Sequence, residues 1–106
     1  MVAVLDTLKN KITTSIPLAT NRYDSPGAAG ITPDGKYLLV PLEQREGNPD
    51  NNDKVDVVDL VTQKRLRTQI RVGYQPIAVA VAPNGSNAYV ANYYSSSVSV
   101  LNVSDE

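Results

Sequence analysis

The chain has 106 residues and a net charge of −1, from 10 basic and 11 acidic side chains, so we expect one domain at most and no electrostatic footprint for nucleic acid. It has no Cys and no His, which excludes disulfides, thiolate nucleophiles, Cys-based zinc or iron–sulfur sites and the commonest general base. A hydrophobic content of 42%, without a run of about 18 apolar residues, predicts a folded chain that does not insert into a membrane.

Short runs rich in Val, Ile and Tyr alternate with Gly, Pro and Asx turns, and this pattern predicts β-strands and no helix. In chain order the nine predicted strands are 2–6, 12–18, 28–32, 37–42, 55–59, 66–72, 77–82, 88–92 and 98–103. The segment 19–27 is predicted to be a loop that ends in Ser-Pro-Gly. The expected fold class is therefore all-β.

Two features recur along the chain. Pro33-Asp34-Gly35 returns 50 residues later as Pro83-Asn84-Gly85, each between two apolar runs. The Val-rich run at 2–6 returns at 55–59 and again at 98–103. A repeat of about this period that consists of short strands is typical of a β-propeller or a related stacked array.

The strands fit four-stranded antiparallel blades, with strands named a to d from the innermost to the outermost. Residues 1–27 then supply strands c-d of one blade, 28–76 a full blade, and 77–106 strands a-b-c of the next. About two blades cannot close a ring, since closed propellers have four or more, so this propeller segment stays open unless other blades complete it. The expected partners are blades from a longer chain or from copies of this chain.

In the stretch 76–101 the Pro-Asn-Gly turn is followed by Tyr89-Val90-Ala91-Asn92 and then by the run Val-Ser-Val-Leu. With these residues the stretch resembles the YVTN-type β-propeller repeat family. The earlier copy has Leu39-Val40-Pro41-Leu42 where this copy has Tyr89-Val90-Ala91-Asn92, and it carries an insertion at 43–54. The resemblance implies a bacterial or archaeal protein that is extracellular, on the cell surface or periplasmic. The start of the chain itself does not predict a signal peptide.

The segment 43–54 has no apolar residue and concentrates oxygen-bearing side chains. Such oxygens at this density suit Ca²⁺, and the candidate ligands are Asp50, Asn52 and Asp53. The complete order of a calcium loop is missing and two basic side chains offset the charge, so a solvated loop is the alternative. No other metal and no cofactor is predicted.

Asp6, Asp59 and Asn102 end the three copies of the Val-rich strand. Because each repeat carries its own copy, we expect this side chain to accept hydrogen bonds in the following turn rather than to serve catalysis.

Three tyrosines lie in connecting segments, where they are candidates for a binding rim: Tyr74, Tyr93 and Tyr94. Packing between blades is the alternative. No catalytic constellation accompanies them, so the sequence favours a non-catalytic scaffold or interaction surface in a secreted or cell-surface protein. The alternative is a fragment of a propeller enzyme, a lactonase-like hydrolase or a quinone- or haem-dependent oxidoreductase, with its active-site residues outside this chain.

Overall fold

The computed structural model describes residues 2–18, 24–44 and 54–103, and all the elements in these ranges are β-strands. The strands are β1 (Val2–Asp6), β2 (Lys11–Ile16), β3 (Asp24–Pro26), β4 (Gly30–Ile31), β5 (Tyr37–Gln44), β6 (Lys54–Asp59), β7 (Lys64–Arg71), β8 (Pro76–Val81), β9 (Asn87–Asn92) and β10 (Ser97–Asn102). The described part of the chain therefore has no helix that could cross a membrane. The prediction of an all-β chain is confirmed.

The strands form three sheets in which neighbouring strands run antiparallel. Sheet 1 has the order β1-β2, and sheet 3 has the order β8-β9-β10. Sheet 2 lies between them in sequence, with the order β3-β5-β6-β7 and with β4 also paired to β5. Sheets 2 and 3 thus repeat one order of strands, which is the order expected from the inner to the outer edge of a blade.

The innermost strand of sheet 2 is split into β3 and β4. We expected one strand over 28–32 after a loop over 19–27, and the loop prediction is wrong for the three residues of β3. Between the two pieces, Gly27 donates its N–H to the carbonyl oxygen of Pro41 on β5, at 2.8 Å. In an antiparallel ladder the nitrogen and oxygen of one residue face the same neighbour. Pro41 has no N–H to donate there, so the ladder is interrupted at this point.

At the interruption, the chain turns from its own sheet to the next one. Ala28 forms a parallel bridge with Ala78 of β8. Its N–H donates to the Ile77 oxygen at 3.0 Å, and its own oxygen accepts from the Val79 N–H at 3.1 Å. Gly27 permits this approach, because a Cβ there would lie 2.6 Å from the Ile77 oxygen. The innermost strands of sheets 2 and 3 are therefore joined by backbone hydrogen bonds.

Two apolar clusters hold the three sheets side by side. The cluster between sheets 1 and 2 is centred on Ile16, Leu38, Val40, Leu42 and Val58. The cluster between sheets 2 and 3 is centred on Leu39, Val55, Val57, Val79, Ala88, Val90, Leu101 and Val103. Successive side chains of β5 enter the two clusters in turn, because side chains alternate across a strand. Sheet 2 is therefore covered on both faces.

Antiparallel pairing places the connections at two opposite ends of the sheets. The turns 33–36 and 83–86 precede β5 and β9 at one end, which we call the turn end. Both turns use a glycine at positive φ, Gly35 at 75° and Gly85 at 77°. The connections 72–75 and 93–96 lie at the other end, which we call the loop end.

Candidate functional site

A cleft of about 390 Å³ opens at the turn end, between sheets 2 and 3. Thr32, Asp34, Lys36 and Tyr37 line one side, and Asn84 lies on the opposite side. Each turn is fixed by its own Pro-Asx-Gly sequence, and the packing of the two sheets brings the turns together. The cleft therefore combines a carboxylate, an ammonium group, a side-chain amide and an aromatic ring.

Asp34 is held in one orientation by its own turn. Its Oδ1 accepts a hydrogen bond from the Thr32 hydroxyl at 2.6 Å and from the Lys36 N–H at 3.0 Å. The Thr32 hydroxyl in turn accepts the Tyr37 N–H at 3.1 Å. Above all, the Thr32 hydrogen bond lowers the pKa of Asp34, and the Lys36 N–H and ammonium group lower it further. The carboxylate is therefore ionised at neutral pH and points in a defined direction.

Asn84 builds the same turn without a charge. Its Oδ1 accepts the Ser86 N–H at 2.9 Å, as Asp34 accepts the Lys36 N–H. The turn is closed by a hydrogen bond from the Gly85 N–H to the Ala82 oxygen at 2.8 Å. An amide at this position thus satisfies the turn as well as a carboxylate does.

The three tyrosines of the predicted binding rim lie together at the loop end. Two backbone hydrogen bonds link their segments, from Tyr93 N–H to the Gln75 oxygen at 2.9 Å and from Tyr94 N–H to the Tyr74 oxygen at 3.2 Å. Tyr74, Tyr93 and Tyr94 are 50%, 69% and 72% exposed. Their role in binding stays a prediction.

A buried amide beneath this rim was not predicted from the sequence. Asn92 is buried, and its Nδ2 donates to the hydroxyls of Ser97 and Ser99 at 3.3 and 2.9 Å. Its Oδ1 has no hydrogen-bond partner among the described residues. Gly73 lies directly against this group, since a Cβ there would be 2.8 Å from the Asn92 Cγ. The signal in the sequence was the Ser-x-Ser spacing on β10, which places two hydroxyls on one face of a strand.

The calcium candidates Asp50, Asn52 and Asp53 lie outside the described residues, so that interpretation stays a prediction. Of the described strands, β5 ends and β6 begins at the loop end, the end that carries the tyrosine rim. Among the described residues, no three His, Cys, Asp or Glu side chains come close enough to hold a metal ion.

The carboxylates that end β1 and β6 have the expected place in their turns. Asp6 Oδ1 accepts the N–H groups of residues 8 and 9 at 3.0 and 3.2 Å. Asp59 Oδ1 accepts those of residues 61 and 62 at 2.9 and 3.2 Å. The prediction of a turn hydrogen bond is confirmed for these two aspartates.

The outer face of sheet 3 is apolar and exposed. Val98 and Val100 are each 62% exposed, whereas Val55 and Val57 at the equivalent places of sheet 2 are fully buried against sheet 3. The cross-strand partner of Val100 shows the same contrast: Tyr89 is exposed, and its equivalent Leu39 is buried. The exposed face of sheet 3 is therefore the equivalent of the face of sheet 2 that is buried against the next sheet.

Sheet 1 presents the opposite face in the same way. Val2 and Val4 on β1 pack against sheet 2, while Leu5 between them and the turn is exposed. Its equivalent on β6, Val58, is fully buried against sheet 1. The chain is thus open on both sides of its stack of sheets.

We compared the chain with known proteins by sequence and by structure. No protein-family model and no curated protein matches it. Its structure is similar to a solved chain of hydrazine synthase from Kuenenia stuttgartiensis, a protein that contains a β-propeller, with a TM-score of 0.76 and 26% sequence identity. The match covers 95% of this chain and 26% of that chain, so this chain spans about a quarter of the length of its structural neighbour. The prediction of a propeller segment is confirmed, while membership of the YVTN-type family stays a prediction.

Proposed function

We propose that this chain is a non-catalytic segment of a β-propeller that serves as a scaffold and interaction surface, and that both of its open sides pack against further blades. The observation that carries the proposal is the contrast between Val57, which is fully buried, and Val100 one repeat later, which is 62% exposed. The equivalent apolar face of the preceding repeat is buried against the next sheet, so we expect a further blade to pack on this one.

The open sides fit blades that continue the same repeat, either from a longer chain or from copies of this one. Val55 and Val57 of sheet 2 show how such a face is covered by the next sheet. The proposal includes an extracellular, cell-surface or periplasmic location, which rests on the resemblance of 76–101 to YVTN-type repeats.

The experiment extends the chain in phase. Asn102 and Asp59 end equivalent strands, so a second copy of residues 61–103 joined directly after Val103 adds a fourth strand and then the next sheet. We expect a higher urea midpoint, because each new interface in a repeat array adds its own stabilisation. The matched control joins a copy of residues 54–103 at the same place, which repeats a third strand and should give no such gain. Equal midpoints for the in-phase and out-of-phase chains would contradict the proposal.

A second candidate function is suggested by the structural neighbour, whose name is that of an enzyme. This chain would then be a piece of a propeller hydrolase or of a quinone- or haem-dependent oxidoreductase. With no His or Cys here, such an enzyme would place its active-site residues in other blades. A longer protein that includes this chain would then turn over a lactone or show the visible absorption of a bound quinone or haem. The scaffold proposal expects neither signal.

A further inference from the structure

We propose that the cleft between the two turns is a binding site for a neutral saccharide, of about the size of one pyranose ring. The cleft lies at the turn end, away from the tyrosine rim, and is formed by sheets 2 and 3 together. It is therefore a site that exists only where two blades meet. The proposal does not depend on whether further blades are present.

The turn at Asp34 does not need a charged side chain. Asn84 forms the same side-chain hydrogen bond to the backbone two residues later, at 2.9 Å against 3.0 Å for Asp34. The two turns otherwise differ at Thr32 and Lys36, where the second repeat has Ala82 and Ser86. Thus a hydroxyl, a carboxylate and an ammonium group are concentrated in one turn, and all three line the cleft.

The Asp34 carboxylate also has capacity left for a ligand. The hydrogen bonds from Thr32 and Lys36 both use Oδ1, and no other described residue donates to Oδ2. A carboxylate has about four acceptor positions on its two oxygens. Because Thr32 and the Lys36 N–H hold the group in place, a ligand hydroxyl that donates to Oδ2 meets an oriented acceptor, and such charge-assisted hydrogen bonds are the stronger ones.

The other groups of the cleft match a ligand that carries hydroxyls and no charge. The ammonium of Lys36 donates, the amide of Asn84 offers both donors and an acceptor, and Tyr37 and Val103 supply an apolar surface. The charges of Asp34 and Lys36 cancel, so neither a cation nor an anion finds a net opposite charge there. A volume of about 390 Å³ is at the lower end of the range for small-ligand pockets.

The test is an NMR titration of the ¹⁵N-labelled chain with methyl α-D-glucopyranoside, methyl α-D-mannopyranoside and methyl β-D-galactopyranoside. We expect saturable shifts for at least one of them at the amides of 34–37 and 84–86, with a dissociation constant on the order of 1 mM, as is usual for a ligand of this size. Butylammonium and acetate serve as charged probes and should cause no saturable shift at these amides.

Two variants separate the cleft from the turn chemistry. Asp34→Asn keeps a turn that Asn84 shows to be stable, and we expect it to weaken pyranoside binding about fivefold because the charge-assisted hydrogen bond is lost. Asp6→Asn is the matched control: it makes the same change in another side-chain-to-backbone turn, on sheet 1 and outside the cleft, and binding should stay within about twofold. The proposal is overturned if no pyranoside gives saturable shifts up to about 50 mM, if a charged probe binds instead, or if both variants weaken binding equally.

Discussion

Because one face of sheet 3 is exposed, the equivalent valines Val57 and Val100 should contribute differently to stability. Each is the third residue from the end of its Val-rich strand, and each is changed to Ala. The change in intrinsic strand preference is similar at the two sites, so the difference in stability reports the difference in surroundings. Val57 is fully buried between sheets 2 and 3, while Val100 is 62% exposed.

The expected magnitudes follow from these exposures. Removing two buried carbons at Val57 costs about 1.6 kcal/mol at about 0.8 kcal/mol per methylene, and the cavity adds about 1 kcal/mol. At Val100 only about two fifths of the transfer energy is lost and no cavity remains, so the cost is about 0.6 kcal/mol. The difference of about 2 kcal/mol corresponds to roughly 30-fold in the folding equilibrium and roughly 10 °C in Tm.

The assay is urea unfolding followed by circular dichroism, with two-state behaviour checked by a second probe. Val57→Ala should lower the free energy of unfolding by about 2.5 kcal/mol and Val100→Ala by about 0.6 kcal/mol. In the chain extended in phase with residues 61–103, the cost of Val100→Ala should rise toward that of Val57→Ala. Equal losses for the two variants in the unextended chain would contradict an open face on sheet 3, because Val100 would then be as well packed as Val57.

Three further predictions concern single positions. Gly27→Ala should destabilise the chain by about 2 kcal/mol in urea unfolding, since its Cβ would lie 2.6 Å from the Ile77 oxygen, and a loss below about 0.5 kcal/mol would contradict the bridge between sheets. The pKa of Asp34 is lowered on folding, so its contribution to stability is present above the pKa of the unfolded chain, near 3.8, and is lost as the pH falls through the lower folded value. A ¹³C NMR titration should show that lower pKa, and Asp34→Asn should remove this part of the acid dependence of stability. Asn92→Ala should cost about 1–2 kcal/mol in thermal unfolding, because the Ser99 hydroxyl loses a buried partner, and no loss would show that the amide network does not stabilise the sheet.

The repeat was readable in the sequence because each of its signals is local. Pro-Asx-Gly dictates a turn with a glycine at positive φ wherever it occurs, as Gly35 and Gly85 show. The Val-rich strands keep the same alternation in each copy, and the aspartates that end β1 and β6 accept hydrogen bonds within three residues. Such features are decided by neighbours in the chain, so the strand order and the all-β class could be predicted.

The split of the innermost strand could not be predicted, because it depends on residues far apart in sequence. Pro41 lacks a donor on the edge that faces Gly27, and Ala28 finds its replacement partner on β8, about 50 residues away. A sequence window shows only a Ser-Pro-Gly segment there, which is typical of a loop.

The cleft and the buried Asn92 were missed for a related reason. Asp34 and Asn84 were interpreted as turn residues, each in its own hairpin, and only the packing of sheets 2 and 3 brings them to opposite sides of one cleft. Asn92 ends a strand beside connecting residues, where an exposed side chain is usual, and Gly73 covers it from the earlier connection, 72–75. A site between two repeats depends on residues that differ between the copies, whereas a repeat is recognised by the residues that the copies share.

The solution mass of the chain, measured by multi-angle light scattering over a range of concentrations, shows whether its outer faces take up neighbours. If both sides of the stack are open blade faces, the mass should exceed 11.4 kDa and rise with concentration, and Val100→Lys should bring it back toward that value. A chain that stays at 11.4 kDa at every concentration, with or without the substitution, would contradict the claim that its outer faces need neighbours.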